Sequence, residues 1–217
     1  MAVDHEETLG EEIVSALTHG VGAMLSISAL VLMVIWAAYT HSPTKIVSVA
    51  IFGTMLIVMY SCSTIYHAHT NKRVKEFLRI LDHSSIYLVI AGSYTPFLLV
   101  DLHGGWGWAL FGVLWGLALV GVLGKCFYRN KGEVLSTLIY IFMGWIGIIA
   151  IVPMVEHIPW GGLSLLFAGG LSYTGGVIFF FLEDMPFNHA IWHLFVLCGS
   201  ICHFFAVFYY VIPFQFL

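Results

Sequence analysis

The chain has 217 residues, 60% of them hydrophobic and only 9% charged, with a mean hydropathy of +0.94. No soluble globular domain of this length needs so apolar a composition, so a polytopic membrane protein is expected and a separate soluble domain is not. The formal net charge of −4 bears on topology rather than on partners, and no nucleic-acid partner is expected.

Asp4 to Glu12 forms a short acidic head with five carboxylates and no Lys or Arg. Residues 1–12 are expected to be a cytoplasmic segment that lies on the membrane surface or frays. Because these residues are acidic rather than basic, no cleavable signal is expected, and the first apolar stretch should stay as a helix. Apolar stretches then recur at about 13–39, 44–68, 76–100, 107–127, 134–155, 161–182 and 187–213. Each can cross a hydrocarbon core of roughly 30 Å. Residues 13–217 therefore read as one all-α domain, a seven-transmembrane-helix bundle with short loops.

Loop charge orients it. Lys72, Arg73, Lys75, Arg79, Lys125, Arg129 and Lys131 flank the second and fourth loops, and only Lys45 lies on the other side. By the positive-inside rule the N-terminus is cytoplasmic and the C-terminus outside. Gly112 and Gly116 form a GxxxG, and Gly169, Gly170, Gly175 and Gly176 crowd the sixth stretch, so close helix packing is expected at both. Trp106, Trp108 and Trp160 fit the outer interfacial belt. Pro186 suits the first turn of the last helix. The cysteines (Cys62, Cys126, Cys198 and Cys202) lack CxxC spacing and read as small membrane-embedded residues.

Eleven histidines outnumber the eight lysines and arginines, which is unusual. His189 and His193 are four apart at the start of the seventh helix. They share one face about 6 Å apart along the axis, the arrangement of a two-ligand metal clamp. Ser63 and His67 are also four apart, at the cytoplasmic end of the second helix. Asp82 lies within two turns of the start of the third, in Leu81-Asp82-His83. Counted at about 1.5 Å per residue, all five groups fall at one depth of one leaflet. Polar groups are expensive there unless they have partners or a function, and their conjunction points to a bound metal. His203, about 15 Å further along the helix, cannot bind the same ion. His41, His103 and His157 fall in outer loops, His69 just beyond the second helix, and His5 in the tail. His83 points away from Asp82 and is interfacial or a neighbour of the site. His19 sits at the right end of the first helix to lie near it.

At these residues the sequence resembles the bacterial hemolysin III family, the prokaryotic branch of the progestin and adipoQ receptor superfamily, itself related to the alkaline ceramidases. The resemblance rests on Thr18-His19-Gly20, Ser63-x3-His67, Leu81-Asp82-His83-Ser84 and His189-x3-His193, and covers essentially the whole chain. It implies Zn²⁺ held by His67, His189 and His193 near the cytoplasmic face of a bacterial inner membrane. Asp82 takes the family's place for an acid contacting the zinc-bound water or the metal, and Ser63 the place of a serine close to that water. The receptors' long N-terminal domain has no counterpart, so a role in binding a protein hormone is not expected to transfer.

Three neutral imidazoles leave one tetrahedral position open, the pattern of a catalytic zinc. Asp82 would take and return a proton, and Ser63 would hydrogen-bond the water or the developing oxyanion. A substrate at this depth comes from the bilayer, so the expected activity is zinc-dependent hydrolysis of an amide or ester of a membrane lipid. The rival readings are a non-enzymatic lipid sensor or membrane-homeostasis protein with structural zinc, and a pore-forming cytolysin. A dedicated toxin is disfavoured because a seven-helix bundle cannot travel as a soluble monomer. A proton or metal transporter is disfavoured because the polar groups cluster at one leaflet.

Overall fold

A computed structural model of the chain describes residues 7–102, 104–128 and 132–212. Among these residues there is no strand, and seven helices are long and apolar enough to cross a bilayer. They are α1 (Leu9–Tyr39), α2 (Pro43–Ala68), α3 (Lys72–Asp101), α4 (Gly105–Tyr128), α5 (Glu133–His157), α6 (Trp160–Phe180) and α7 (Asn188–Val211). The seven-helix membrane fold is thus the one that forms. Asp4, His5, Glu6, His103, Arg129, Lys131 and residue 213 lie outside the described residues.

The helix boundaries follow local chemistry. Ser42, ahead of Pro43, and Asn71 accept from the first free N–H groups of α2 and α3. Thr8 caps α1, and Glu11 returns the bond to the Thr8 N–H at 2.8 Å, a full capping box. That box starts α1 at Leu9 rather than at residue 13. Glu11 and Glu12 therefore belong to the helix and do not lie free on the membrane surface. Pro186 precedes the cap of α7, which is Phe187 in a left-handed conformation (φ 57°), so it stands outside the first turn expected for it. Three helices depart from regular α geometry. α3 widens to a π turn at Phe97–Asp101 after Pro96, which has no N–H to donate. α5 tightens to a 3-10 turn at Ile146–Ala150, and α7 ends in a π turn at Val207–Val211.

α1 lies along α2, α2 along α3, α3 along α4 and α6 along α7, while α1 closes the bundle against α7. α5 fits more loosely, and a cavity of about 470 Å³ opens among α3, α5, α6 and α7. The interior is not the most apolar part. Ser15, Ser48, Ser63 and Thr95 are fully or almost fully buried, whereas Leu119, Val120, Val152 and Ile178 point outward. Lipid tails solvate an outward leucine as well as a protein core does, so close packing and hydrogen bonding, not apolar burial, select the inner residues.

The glycines divide accordingly. A Cβ at Gly169 would strike the His203 ring, and one at Gly176 would lie 2.7 Å from Phe195 Cβ, so α6 and α7 approach closely there. Gly112 and Gly116 form no such seam. Both are open, with nothing within 4 Å of an added Cβ, because α4 turns Leu110, Leu114 and Ala118 inward instead. The close approaches on α4 are at Gly107, where a Cβ would collide with the Leu98 carbonyl oxygen, and at Gly121, where it would strike the Tyr87 ring. Backbone cannot yield as a side chain can, so Gly107→Ala should destabilise the detergent-purified protein by about 1–3 kcal/mol in thermal melting. Gly112→Ala should melt like the wild type or slightly above it. Equal melting of Gly107→Ala and wild type would refute the close approach.

Candidate metal centre

His67 is carried by the last turn of α2, and His189 and His193 by the first two turns of α7. α1 lies between these helices, and all three histidines sit at the end of the bundle where α1 begins. The ring centroids stand 4.8 Å (His67–His189), 5.0 Å (His67–His193) and 4.6 Å (His189–His193) apart, close to an equilateral triangle. One ring nitrogen from each lies within 4.8 Å of the other two, a group able to hold a metal ion.

The second nitrogen of each ring is engaged by the protein. His67 Nδ1 lies 2.8 Å from Glu12 Oε2, and His189 Nδ1 lies 3.3 Å from Glu7 Oε1. His193 Nδ1 lies 3.2 Å from the Ser15 carbonyl oxygen and 3.3 Å from Thr18 Oγ1. A carboxylate or a carbonyl only accepts, so Nδ1–H is the donor toward Glu12 and Ser15, and Nε2 is left with its lone pair free. In His67 that Nε2 is buried and has no partner. An orphaned acceptor at the centre of a histidine triangle fits a cation, and a ligating histidine commonly gives its other N–H to a carboxylate or carbonyl.

Asp82 and Ser63 stand beside this triangle rather than in it. Both are buried, and both line the large cavity with His19, His189 and His193. Ser63 Oγ adjoins the Asp82 carboxyl without a well-formed hydrogen bond to anything. His19 stacks on His193 with centroids 3.4 Å apart and rings 12° from parallel, and both of its nitrogens lack partners. Beyond these groups the cavity wall is mostly apolar, with Val89, Ile90, Phe97, Leu166 and Phe167 among its residues, though Lys125, Glu133, Thr174 and His203 also reach it.

The remaining histidines are placed otherwise. His83 lines the cavity, 3.4 Å from Lys125 Nζ. His157 Nδ1 donates to the Pro153 carbonyl oxygen at 2.8 Å on the surface, and His69 caps α2. His203 is buried, with Nε2 3.4 Å from the Leu166 carbonyl oxygen. It is not the sole polar group at its level of the bundle. Ser200 Oγ accepts from Tyr60 OH at 2.8 Å and lies 2.9 Å from Tyr173 OH, whose ring meets the His203 ring edge-on. The four cysteines are free.

The acidic first turn of α1 was missed as part of the site. Glu12 bonds His67 and Lys75, Glu7 reaches His189, and Glu11 accepts the Phe187 N–H at 2.9 Å, where α7 begins. Burial pushes the Glu7 carboxyl above its ordinary range, with the nearby His67 opposing the shift. The signal was present in the sequence. Thr8-x-x-Glu11 announces a helix start, and Glu12, Ser15, His19 and Gly22 then share one helical face.

The description "Haemolysin-III related" belongs to the family whose sequence profile matches residues 8–204. The chain is 48% identical over 203 residues to Hemolysin-3 of Bacillus cereus, covering 94% of this chain and 93% of that one. It is 47% identical over 210 residues to the Hemolysin-3 homolog of Bacillus subtilis (strain 168), covering 97% and 99%. A human protein, monocyte to macrophage differentiation factor, is 31% identical over 167 residues, 74% of this chain and 69% of its own. With the seven-helix bundle and its histidine triangle already in place, the profile match over most of the chain means that this membrane protein belongs to the haemolysin-III related family.

Proposed function

We propose that the protein is a zinc-binding membrane hydrolase acting on an amide or ester bond of a membrane lipid. The observation that carries the reading is the junction of three features: the triangle of His67, His189 and His193, the buried pair Asp82 and Ser63, and an apolar cavity reaching both. Three imidazoles suit zinc, and the cavity volume is in the range of ligand cavities, roughly 300–1,000 Å³. Zinc held by His67, His189 and His193 would supply Lewis acidity at the histidine end of the cavity.

The chain's own residues supply the rest. His67, His189 and His193 hold the ion, each oriented through its Nδ1. The apolar walls take the acyl chain and keep water from it. Water adds to the carbonyl carbon as Asp82 accepts its proton. The bond to nitrogen or oxygen then breaks as Asp82 returns that proton to the leaving group. Ser63 donates a hydrogen bond to the developing oxyanion. Asp82 stands outside the compact triangle, which favours contact through water over direct ligation. The basic residues of α3 and α4 at this end of the bundle support a cytoplasmic location for the centre, in a bacterial inner membrane.

A second reading has zinc only as a staple, in a lipid sensor. It is favoured by the placement of the histidines, since His67 on α2 and His189 with His193 on α7 would tie two helices into one site. The Bacillus relatives are named for haemolysis. Dye release from liposomes by the purified protein at low copy number would favour that activity instead.

Two outcomes are expected. Metal analysis by mass spectrometry of detergent-purified protein, prepared without chelators, should find one zinc per chain in the wild type and almost none in His193→Ala. Absence of metal from both would remove the basis of the mechanism. Release of fatty acid from membrane lipid extracts should fall by about 10²–10⁴-fold in Asp82→Ala, with zinc content retained. If lipids are never consumed while zinc removal lowers the melting temperature, the staple reading replaces the hydrolase.

A further inference from the structure

The histidine triangle does not orient itself. His67 sits in the last turn of α2, where the helix stops being held by its own backbone, and its ring must be turned so that one nitrogen faces His189 and His193. The group that turns it comes from outside α2. Glu12, in the first turn of α1, places Oε2 2.8 Å from His67 Nδ1. The other oxygen, Oε1, is bonded by Lys75 Nζ at the start of α3. The carboxylate is thus pinned at both ends, between a cation on α3 and an imidazole on α2.

The turn that carries Glu12 is itself fixed. The Thr8–Glu11 capping box sets where α1 begins, and Glu11 accepts the Phe187 N–H ahead of α7. Phe187 holds a left-handed conformation that a non-glycine residue adopts only when its surroundings impose it. The same short acidic stretch therefore engages the end of α2, the start of α3 and the start of α7, whose first two turns carry His189 and His193.

We propose that Glu12, anchored by Lys75, is a positioning residue of the metal centre: it holds His67 with Nδ1–H toward its carboxylate, so that Nε2 faces the ion. The inference rests on the metal-binding reading above and adds to it a residue outside the ligand set and the catalytic pair. A negative charge hydrogen-bonded to Nδ1–H also raises the basicity of Nε2, so the interaction strengthens ligation as well as aiming it.

The test uses full-length protein in detergent, with Zn²⁺ and Co²⁺ as probes. Zinc affinity is read by competition with a chromophoric chelator, and the ligand field by the visible absorption of the cobalt form. The melting temperature of metal-free protein separates positioning from folding. Glu12→Ala should weaken zinc binding by about 10–100-fold and change the cobalt spectrum, with metal-free melting close to wild type. Glu12→Gln keeps an oxygen acceptor at the same reach and should recover part of that loss, and Lys75→Met should show a smaller loss of the same kind. Wild-type affinity and spectrum in Glu12→Ala would overturn the proposal while leaving the metal centre standing. Lowered metal-free melting with unchanged affinity would overturn it in favour of a purely structural tie. A wild type that takes up neither ion would overturn the metal reading itself, and this inference with it.

Discussion

An imidazole nitrogen buried inside a membrane-spanning bundle has no water to fall back on, and that constraint organises the polar end of this molecule. His67, His189 and His193 each give Nδ1 to an acceptor supplied by α1 or the residues just before it: Glu12, Glu7 and the Ser15 carbonyl. Leaving any of these nitrogens unpaired costs free energy comparable to a lost hydrogen bond or more. The pairing decides which way each ring faces. The three remaining nitrogens converge because the first three are taken.

The same constraint explains why α1 is central to the site although it contributes no histidine to the triangle. α1 packs along α2 on one side and against α7 on the other, so its first turns can serve both. Its inward face carries Ser15, His19 and Gly22, small or polar residues that allow close approach. Gly22 lies under the Tyr60 ring, and His19 stacks on His193. The rest of the bundle serves the cavity. α5 is interrupted by a 3-10 turn and packs loosely, and the space it leaves runs from the Asp82 and Ser63 pair along apolar walls.

Much of this was legible in the residues, for physical reasons that can be named. A run of apolar side chains long enough to span hydrocarbon is a local property, so the seven helices could be counted directly. Four-residue spacing puts His189 beside His193, and Ser63 beside His67, on any helix. Depth could be read by counting from each helix start, which brought residues of α2, α3 and α7 to one level. The same arithmetic could not tell which groups at that level touch. Asp82 and Ser63 adjoin each other while the three histidines form a separate triangle, and that division depends on how the helices are rotated about their axes.

The sequence by itself determined the class of the protein, the number of its helices and the polar residues available to a site, because hydropathy and helical periodicity act over one segment at a time. Only the tertiary structure decided what those residues meet. It drew Glu7 and Glu12 from an apparently free acidic head onto the histidines, and Glu11 onto the Phe187 N–H, since a charge at a helix start is held by partners on other helices. It left Gly112 and Gly116 facing outward and put the tight approaches of α4 at Gly107 and Gly121, since a glycine pattern does not say which face another helix covers. It also assembled Tyr60, Tyr173, Ser200 and His203 into a second polar cluster from α2, α6 and α7, far apart in the chain. Contacts of that kind arise from the order and rotation of the helices, which no single segment encodes.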